Sequence, residues 1–129
     1  MKEAIIVTIY YKGTCNSSKK AIQWFDDHYI EYKKYKICEI TLEDLLDVLS
    51  MTDKGFTDII KRQMSTDSVT RKKIQILQDL SFEEGLSYIK KNSEMLRTPI
   101  IVSKNKFLIG YNSEEIRQFI STNYRKKLH

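Results

Sequence analysis

Apolar and polar residues alternate in three different rhythms along the chain, and each rhythm predicts a different element. Ala4 to Tyr11 is a short apolar, β-branched run suited to a buried strand. From Ser17 to His28 the apolar residues Ala21, Ile22, Trp24 and Phe25 gather on one face of a helix. Tyr29 to Ile37 reads as a second strand, with Ile30, Tyr32, Tyr35 and Ile37 set among lysines in imperfect alternation. A strand, a helix and a strand within so few residues form a βαβ unit, whose two strands are parallel.

Helical spacing then dominates. Thr41 with Asp44 resembles a capping box ahead of Leu42, Leu45, Leu46 and Val48. Met51-Thr52-Asp53-Lys54-Gly55 breaks that helix, and Gly55 falls at a turn or helix junction. Phe56 to Met64 predicts a short helix, Ser65 to Lys73 has no firm pattern, and Ile74 to Leu80 predicts another short helix. Ser81 with Glu84 makes a second capping box, opening a helix to about Lys91 along Phe82, Leu86 and Ile89.

The period returns to that of strands after Arg97-Thr98-Pro99. Pro99, the single proline, is expected to open a strand, where it costs no ladder bond. Ile100 to Val102 and Phe107 to Ile109 predict a hairpin around Ser103-Lys104-Asn105-Lys106, closed by Gly110-Tyr111. Asn112 with Glu115 caps a last helix carrying Ile116, Phe119 and Ile120. The order β-α-β, several helices, β-β-α predicts an α/β fold: a four-stranded mixed sheet of thioredoxin-like arrangement with a helical insertion. In that arrangement Pro99 would be cis and lie close to Cys15. The expected division is one domain over 1–129, with a core over about 4–40 and 97–124, an insertion over about 41–96 and a basic tail over 125–129.

Composition narrows the class. With 129 residues, 41% hydrophobic and 30% charged, the chain has the balance of one soluble globular domain. No apolar run approaches the ~20 residues of a membrane span, so no membrane partner is expected. The start, Met1-Lys2-Glu3-Ala4, leads into a strand pattern rather than a cleavable signal. Cys15 and Cys38 are too few for a disulfide framework, and the expected location is cytoplasmic. With Cys15, Cys38, His28 and His129 as the only soft ligands, no metal site or cofactor is expected. The net charge of +5 is compatible with a nucleic-acid neighbourhood without establishing one.

Candidate chemistry centres on Gly13-Thr14-Cys15-Asn16-Ser17-Ser18-Lys19-Lys20. A turn between a strand and a helix puts Cys15 at a helix N-terminus, where unpaired N–H groups and the helix dipole stabilise a thiolate. Lys19 and Lys20 would add positive potential. The spacing is that of C-x-x-C, but Ser18 holds the second position and cannot close a disulfide. A structural cysteine is the plain alternative for this turn. Cys38 is expected to be an isolated, partly buried thiol, with no bond to Cys15.

Three stretches together resemble one family: Gly13 to Ala21, Arg97-Thr98-Pro99-Ile100-Ile101, and Ile109-Gly110-Tyr111-Asn112-Ser113-Glu114-Glu115-Ile116-Arg117. They are similar to the arsenate reductase (ArsC)/Spx family, over about residues 5 to 121. Met51-Thr52-Asp53-Lys54-Gly55 and Gly110-Tyr111-Asn112 look like its Spx-like branch of transcriptional regulators. The resemblance implies binding to the C-terminal domain of the RNA polymerase alpha subunit, redirecting transcription in thiol, oxidative or other stress, with no catalytic residue. It implies Gly55 as the contact to that domain, and promoter DNA met only within the polymerase complex. Arg125, Lys126 and Lys127 would assist there, and a degradation adaptor or protease is a further implied partner. No helix-turn-helix spacing, zinc finger or basic zipper is present that would read DNA sequence alone.

Departures from the family pattern bear on the site. Many Spx proteins carry C-x-x-C as an oxidation switch, where this chain has Cys15 and Ser18. Many carry arginine directly before the proline; here Thr98 stands there and Arg97 is one residue earlier. Ser50 replaces a basic residue common before the Met-Thr pair. The runner-up function is an arsenate reductase-like enzyme with Cys15 as nucleophile. The family's reductases hold their anion with arginines at the positions of Thr98 and Tyr111, leaving Arg97 and Lys19 as imperfect substitutes. A monothiol glutaredoxin-like protein fits Cys15-x-x-Ser18, but Gly110-Tyr111-Asn112 stands where its Gly-Gly-Asp is expected.

Overall fold

The computed structural model describes residues 6–120. Ala4 and Ile5 of the predicted first strand, and the basic tail with Arg125, Lys126 and Lys127, lie outside the described residues. β1 (Val7–Tyr11) is followed by helix α1 (Asn16–Asp27) and by β2 (Tyr32–Lys36). β3 (Ile100–Ser103) and β4 (Lys106–Ile109) complete a sheet ordered β2-β1-β3-β4. β1 and β2 are parallel, with Val7 opposite Tyr32 and Tyr11 opposite Lys36. β3 runs antiparallel to β1, with Ile9 opposite Ile101, and β4 antiparallel to β3. The mixed four-stranded sheet and its helical insertion are as the order of patterns predicts.

Alternation along the strands divides the core in two. Val7, Ile9, Ile101 and Leu108 pack on one face against Ala21 and Phe25 of α1 and against Ile116 and Phe119 near the end of the described chain. Tyr10, Ile100 and Val102 face the other way into the helical insertion. That insertion contains α2 (Leu42–Met51), α3 (Phe56–Ile59), α4 (Ser68–Gln78) and α5 (Phe82–Lys91), and it contributes Leu45, Val48, Ile59, Ile74, Leu77 and Ile89. Tyr10 crosses from sheet to insertion by donating its hydroxyl to Asp44 Oδ2. Burial and that bond push the Tyr10 phenol up to about 12. Lys90 donates to the Ile40 carbonyl, and Lys73 pairs with Glu94.

Several boundaries differ from the periodicity. β2 starts at Tyr32 rather than Tyr29, because Tyr29 and Ile30 still donate backbone N–H groups to Asp26 and Phe25 at the end of α1. Tyr29 turns the chain there with φ 53°. α4 begins at Ser68, within the stretch that carried no pattern. Asp67 caps it through bonds from the Thr70 N–H at 2.7 Å and the Thr70 hydroxyl, and that cap outweighs the weak helix preference of Val69 and Thr70. α3 is one turn, ending at Ile59 rather than Met64. The last helix is 3-10, Glu115–Phe119, with the Glu114 and Glu115 N–H groups bonded to Asn112 Oδ1. The Ser81–Glu84 box is reciprocal. Its Thr41–Asp44 counterpart is one-sided, because the Asp44 carboxylate takes Tyr10 instead.

Candidate functional site: the Cys15 turn and its cleft

A tight turn joins β1 to α1, and Cys15 is the N-cap residue of that helix, φ −88°, ψ 118°. Its N–H bonds the Lys12 carbonyl at 3.0 Å, and its own carbonyl accepts from the Lys19 N–H. Ser18 is buried, and its hydroxyl accepts from the Lys12 N–H at 3.2 Å. In the place of a resolving thiol, then, Ser18 pins the turn.

Opposite the turn the Thr98–Pro99 peptide is cis, and Cys15 Sγ lies 3.6 Å from the Thr98 carbonyl oxygen. Burial pushes the Cys15 thiol up, but hydrogen bonds from Thr98, from the Ser18 hydroxyl and from the Ser17 and Ser18 N–H groups outweigh it and hold the thiol below its usual range. Two influences therefore compete at Sγ. The Thr98 carbonyl favours the protonated thiol, while the helix N-terminus favours the thiolate, and the thiolate gains.

An open cleft of about 750 Å³ lies beside Sγ, lined by Lys61, Arg62, Arg97, Thr98, Gly110 and Tyr111 among others. Lys61 and Arg97 are brought there by a short backbone clasp. The Lys61 N–H donates to the Met95 carbonyl at 2.8 Å and the Arg97 N–H to the Ile59 carbonyl at 2.9 Å, around an Ile60–Leu96 bridge. Burial and repulsion from Lys12 push the Lys61 ammonium down, partly offset by Asp67, Cys15 and Glu94. Lys61 and Arg62 had no place in the sequence reading. Their signal is a matched pair of apolar-apolar-basic runs, Ile59-Ile60-Lys61 and Met95-Leu96-Arg97, which pair only once the insertion has folded.

Arg97 lines the cleft with Cys15, and Pro99 follows Thr98 across the cis peptide, whereas Lys19 does not line the cleft and is exposed on α1. Its place in the positive lining is taken by Lys61. Cys38 is a free thiol and is exposed rather than partly buried, because the 3-10 turn Ile37–Glu39 turns Ile37 inward and Cys38 out. Gly55 is the junction residue before α3, at φ 62°, ψ −129°, a region essentially reserved for glycine. A Cβ there would meet nothing within 4 Å. The sequence expectation of a junction glycine is met, and its surroundings are open. Among the described residues no helix is long and apolar enough to cross a membrane, and no group of three His, Cys, Asp or Glu side chains is placed to hold a metal ion.

The sequence profile of the ArsC family matches residues 10–119, from the end of β1 to the last 3-10 turn. The chain belongs to the ArsC family. Within it, the chain is 35% identical over 125 residues to the global transcriptional regulator Spx of Streptococcus pyogenes serotype M1, covering 95% of this chain and 90% of that protein. It is also 35% identical over 123 residues to the Spx regulator of Listeria innocua, covering 93% and 91%. Among solved structures, an ArsC-family-related protein from Bacteroides fragilis superposes with TM-score 0.71 at 21% identity, covering 90% of this chain and 98% of that one. Arsenate reductase from Vibrio cholerae gives 0.65 at 15%, covering 90% and 96%. These likenesses establish the ArsC-type, thioredoxin-like fold, and the closer sequence relatives carry the regulator's name.

Proposed function

We propose that this protein is a transcriptional regulator of the Spx kind, which docks on the C-terminal domain of the RNA polymerase alpha subunit and redirects polymerase under stress. The supporting observation is the 35% identity to Spx regulators across 95% of the chain. Gly55 is the proposed contact. A glycine in an open setting lets a partner's backbone approach closely, and its positive φ excludes most other residues. Promoter DNA is met within the complex. The Cys15 turn, with Ser18 in the second position, acts without an internal disulfide.

Gly55→Arg tests this reading. A charged side chain displaces the partner or buries an uncompensated charge, at a cost of several kcal/mol, against about 8 kcal/mol for a micromolar complex. Backbone strain at φ 62° adds about 1–3 kcal/mol to folding, so Gly55→Ala, which carries the same strain without the charge, is the control. Gly55→Arg is expected to lose detectable binding to the alpha domain at a temperature where both variants are folded by thermal melt. Binding retained by folded Gly55→Arg would sink the proposal.

A thiol-dependent reductase is the second reading, favoured by the lowered Cys15 pKa beside Lys61 and Arg97. Thiol-dependent turnover of arsenate, abolished by Cys15→Ser, would support it. An inert protein that captures polymerase would not.

A further inference from the structure

The outer edge of the sheet is unlike the rest of the surface. β2 is a terminal strand reading Tyr32-Lys33-Lys34-Tyr35-Lys36, and every residue in it except Tyr32 is exposed. Alternation puts Lys34 and Lys36 on the α1 face, where Lys34 Nζ sits 5.4 Å from the centre of the Tyr11 ring. Lys33 and Tyr35 take the other face, Tyr35 beside Tyr10 at 6.0 Å between ring centres. Parallel pairing brings Lys36 opposite Tyr11, so Lys12 and the first turns of α1, with Lys19 and Lys20, converge on the same end of the crossover. No ion pair involving these lysines is formed among the described residues, and the acidic side chains nearest in sequence, Glu31 and Glu39, lie beyond the two ends of the strand. Lysine on an edge strand also discourages association with other strands. One or two suffice for that; three in five residues, on both faces and continued onto the neighbouring strand and helix, make a field.

We propose that this edge is a contact surface for the phosphate backbone of double-stranded DNA, read without base specificity. A five-residue strand is about 17 Å long, the length of about five base-pair steps at 3.4 Å each. Lysine ammoniums act as point charges toward phosphate, and the exposed Tyr35 hydroxyl supplies a neutral donor of the kind found at DNA backbones. α1, the helix beside β2, is packed on the sheet through Ala21 and Phe25, so the contact is made by the strand, positions the protein and carries no sequence information. This inference rests on the regulator reading for the choice of DNA over an acidic protein. It adds the face that meets DNA while the alpha domain is engaged elsewhere.

The test measures binding of the full chain to a fluorescent mixed-sequence duplex across a salt series, comparing K34Q/K36Q with K72Q/K91Q. The second pair removes the same charge from exposed lysines of α4 and α5. The parent should bind more weakly as salt rises. K34Q/K36Q should lower the slope of log K against log salt by about 1.8 if both lysines touch phosphate, and K72Q/K91Q should leave it unchanged. Equal losses in both variants would show a net-charge effect with no site and would overturn the proposal. Absence of duplex binding by the parent at low salt, or tighter binding to polyglutamate than to duplex, would also overturn it. Capture of the alpha domain is run in parallel. K34Q/K36Q should keep it, so that failure of the DNA surface and failure of the regulator reading give different results.

Discussion

At the scale of single residues, Cys15 is controlled by its neighbours across the cleft and by its place on α1. The Thr98 side chain and the Ser18 hydroxyl both bond the thiolate, so removing either donor should raise the thiol pKa. Thr98→Val is the cleaner change, since Ser18 also holds the turn. Alkylation rate against pH should show a lower midpoint for Cys15 in the native protein than in the denatured chain, and Thr98→Val should move that midpoint up. An unmoved midpoint would leave the Ser18 hydroxyl and the N–H groups of the helix N-terminus as the causes. The sign for stability follows. A thiol pKa below its unfolded value contributes stability that is present above the unfolded pKa and is lost as pH falls through the native one.

Caps decide much at the scale of elements. Asp67 lies below the ordinary carboxylate range because the Thr70 N–H and hydroxyl bond its charged form, and Glu84 is lowered likewise by Ser81. Both contribute stability above the unfolded carboxylate pKa, near 4, and lose it as pH falls through the depressed native values. Asp67→Asn keeps a good cap without the charge. Urea midpoints followed from neutral pH to about pH 3 should therefore fall less steeply for Asp67→Asn than for the parent; parallel curves would show that the charge does not matter. These caps also explain what was legible in the sequence. The Ser81–Glu84 box, the hairpin and the order of the strands were readable because each signal is local. The start of α4 was not, because Asp67 is followed by poor helix formers and its helix is held by Ile74 and Leu77 in the core. The Cys15 turn and Pro99 could be read and their proximity anticipated, whereas Lys61 reaches the cleft through pairing between segments about 35 residues apart.

For the whole molecule, the joint between α5 and α3 leaves no room for a side chain at Gly85. A Cβ on Gly85 would stand 2.8 Å from Phe56 Cε2 and 3.2 Å from Leu77 Cδ1, so α5 can approach only as glycine. Phe56 is held further by stacking on Phe82 at 5.2 Å. Gly85→Ala gains helix propensity of about 1 kcal/mol but overpacks this joint at a cost of about 1–3 kcal/mol. A net fall in thermal stability is expected, with Phe56 displaced beside Gly55. A stabilised Gly85→Ala protein would mean that the Phe56 ring yields freely. Binding of the alpha domain by Gly85→Ala then reports whether the Gly55 junction depends on its support from below.

The clasp between Ile59–Lys61 and Met95–Arg97 has a consequence for how the chain can be cut. Residues 62–94 leave and return at one point, while all four strands lie outside that excursion. A single nick in the α4–α5 connection at Asp79 or Leu80 would therefore leave the sheet uninterrupted, with both fragments still interlocked. Excision is another matter, because the excursion supplies Ile74, Leu77, Leu86 and Ile89 to the core. The segment behaves as a cassette clipped at its neck, replaceable by another helical pair of matching inner face without re-threading the strands that hold Cys15 and Pro99.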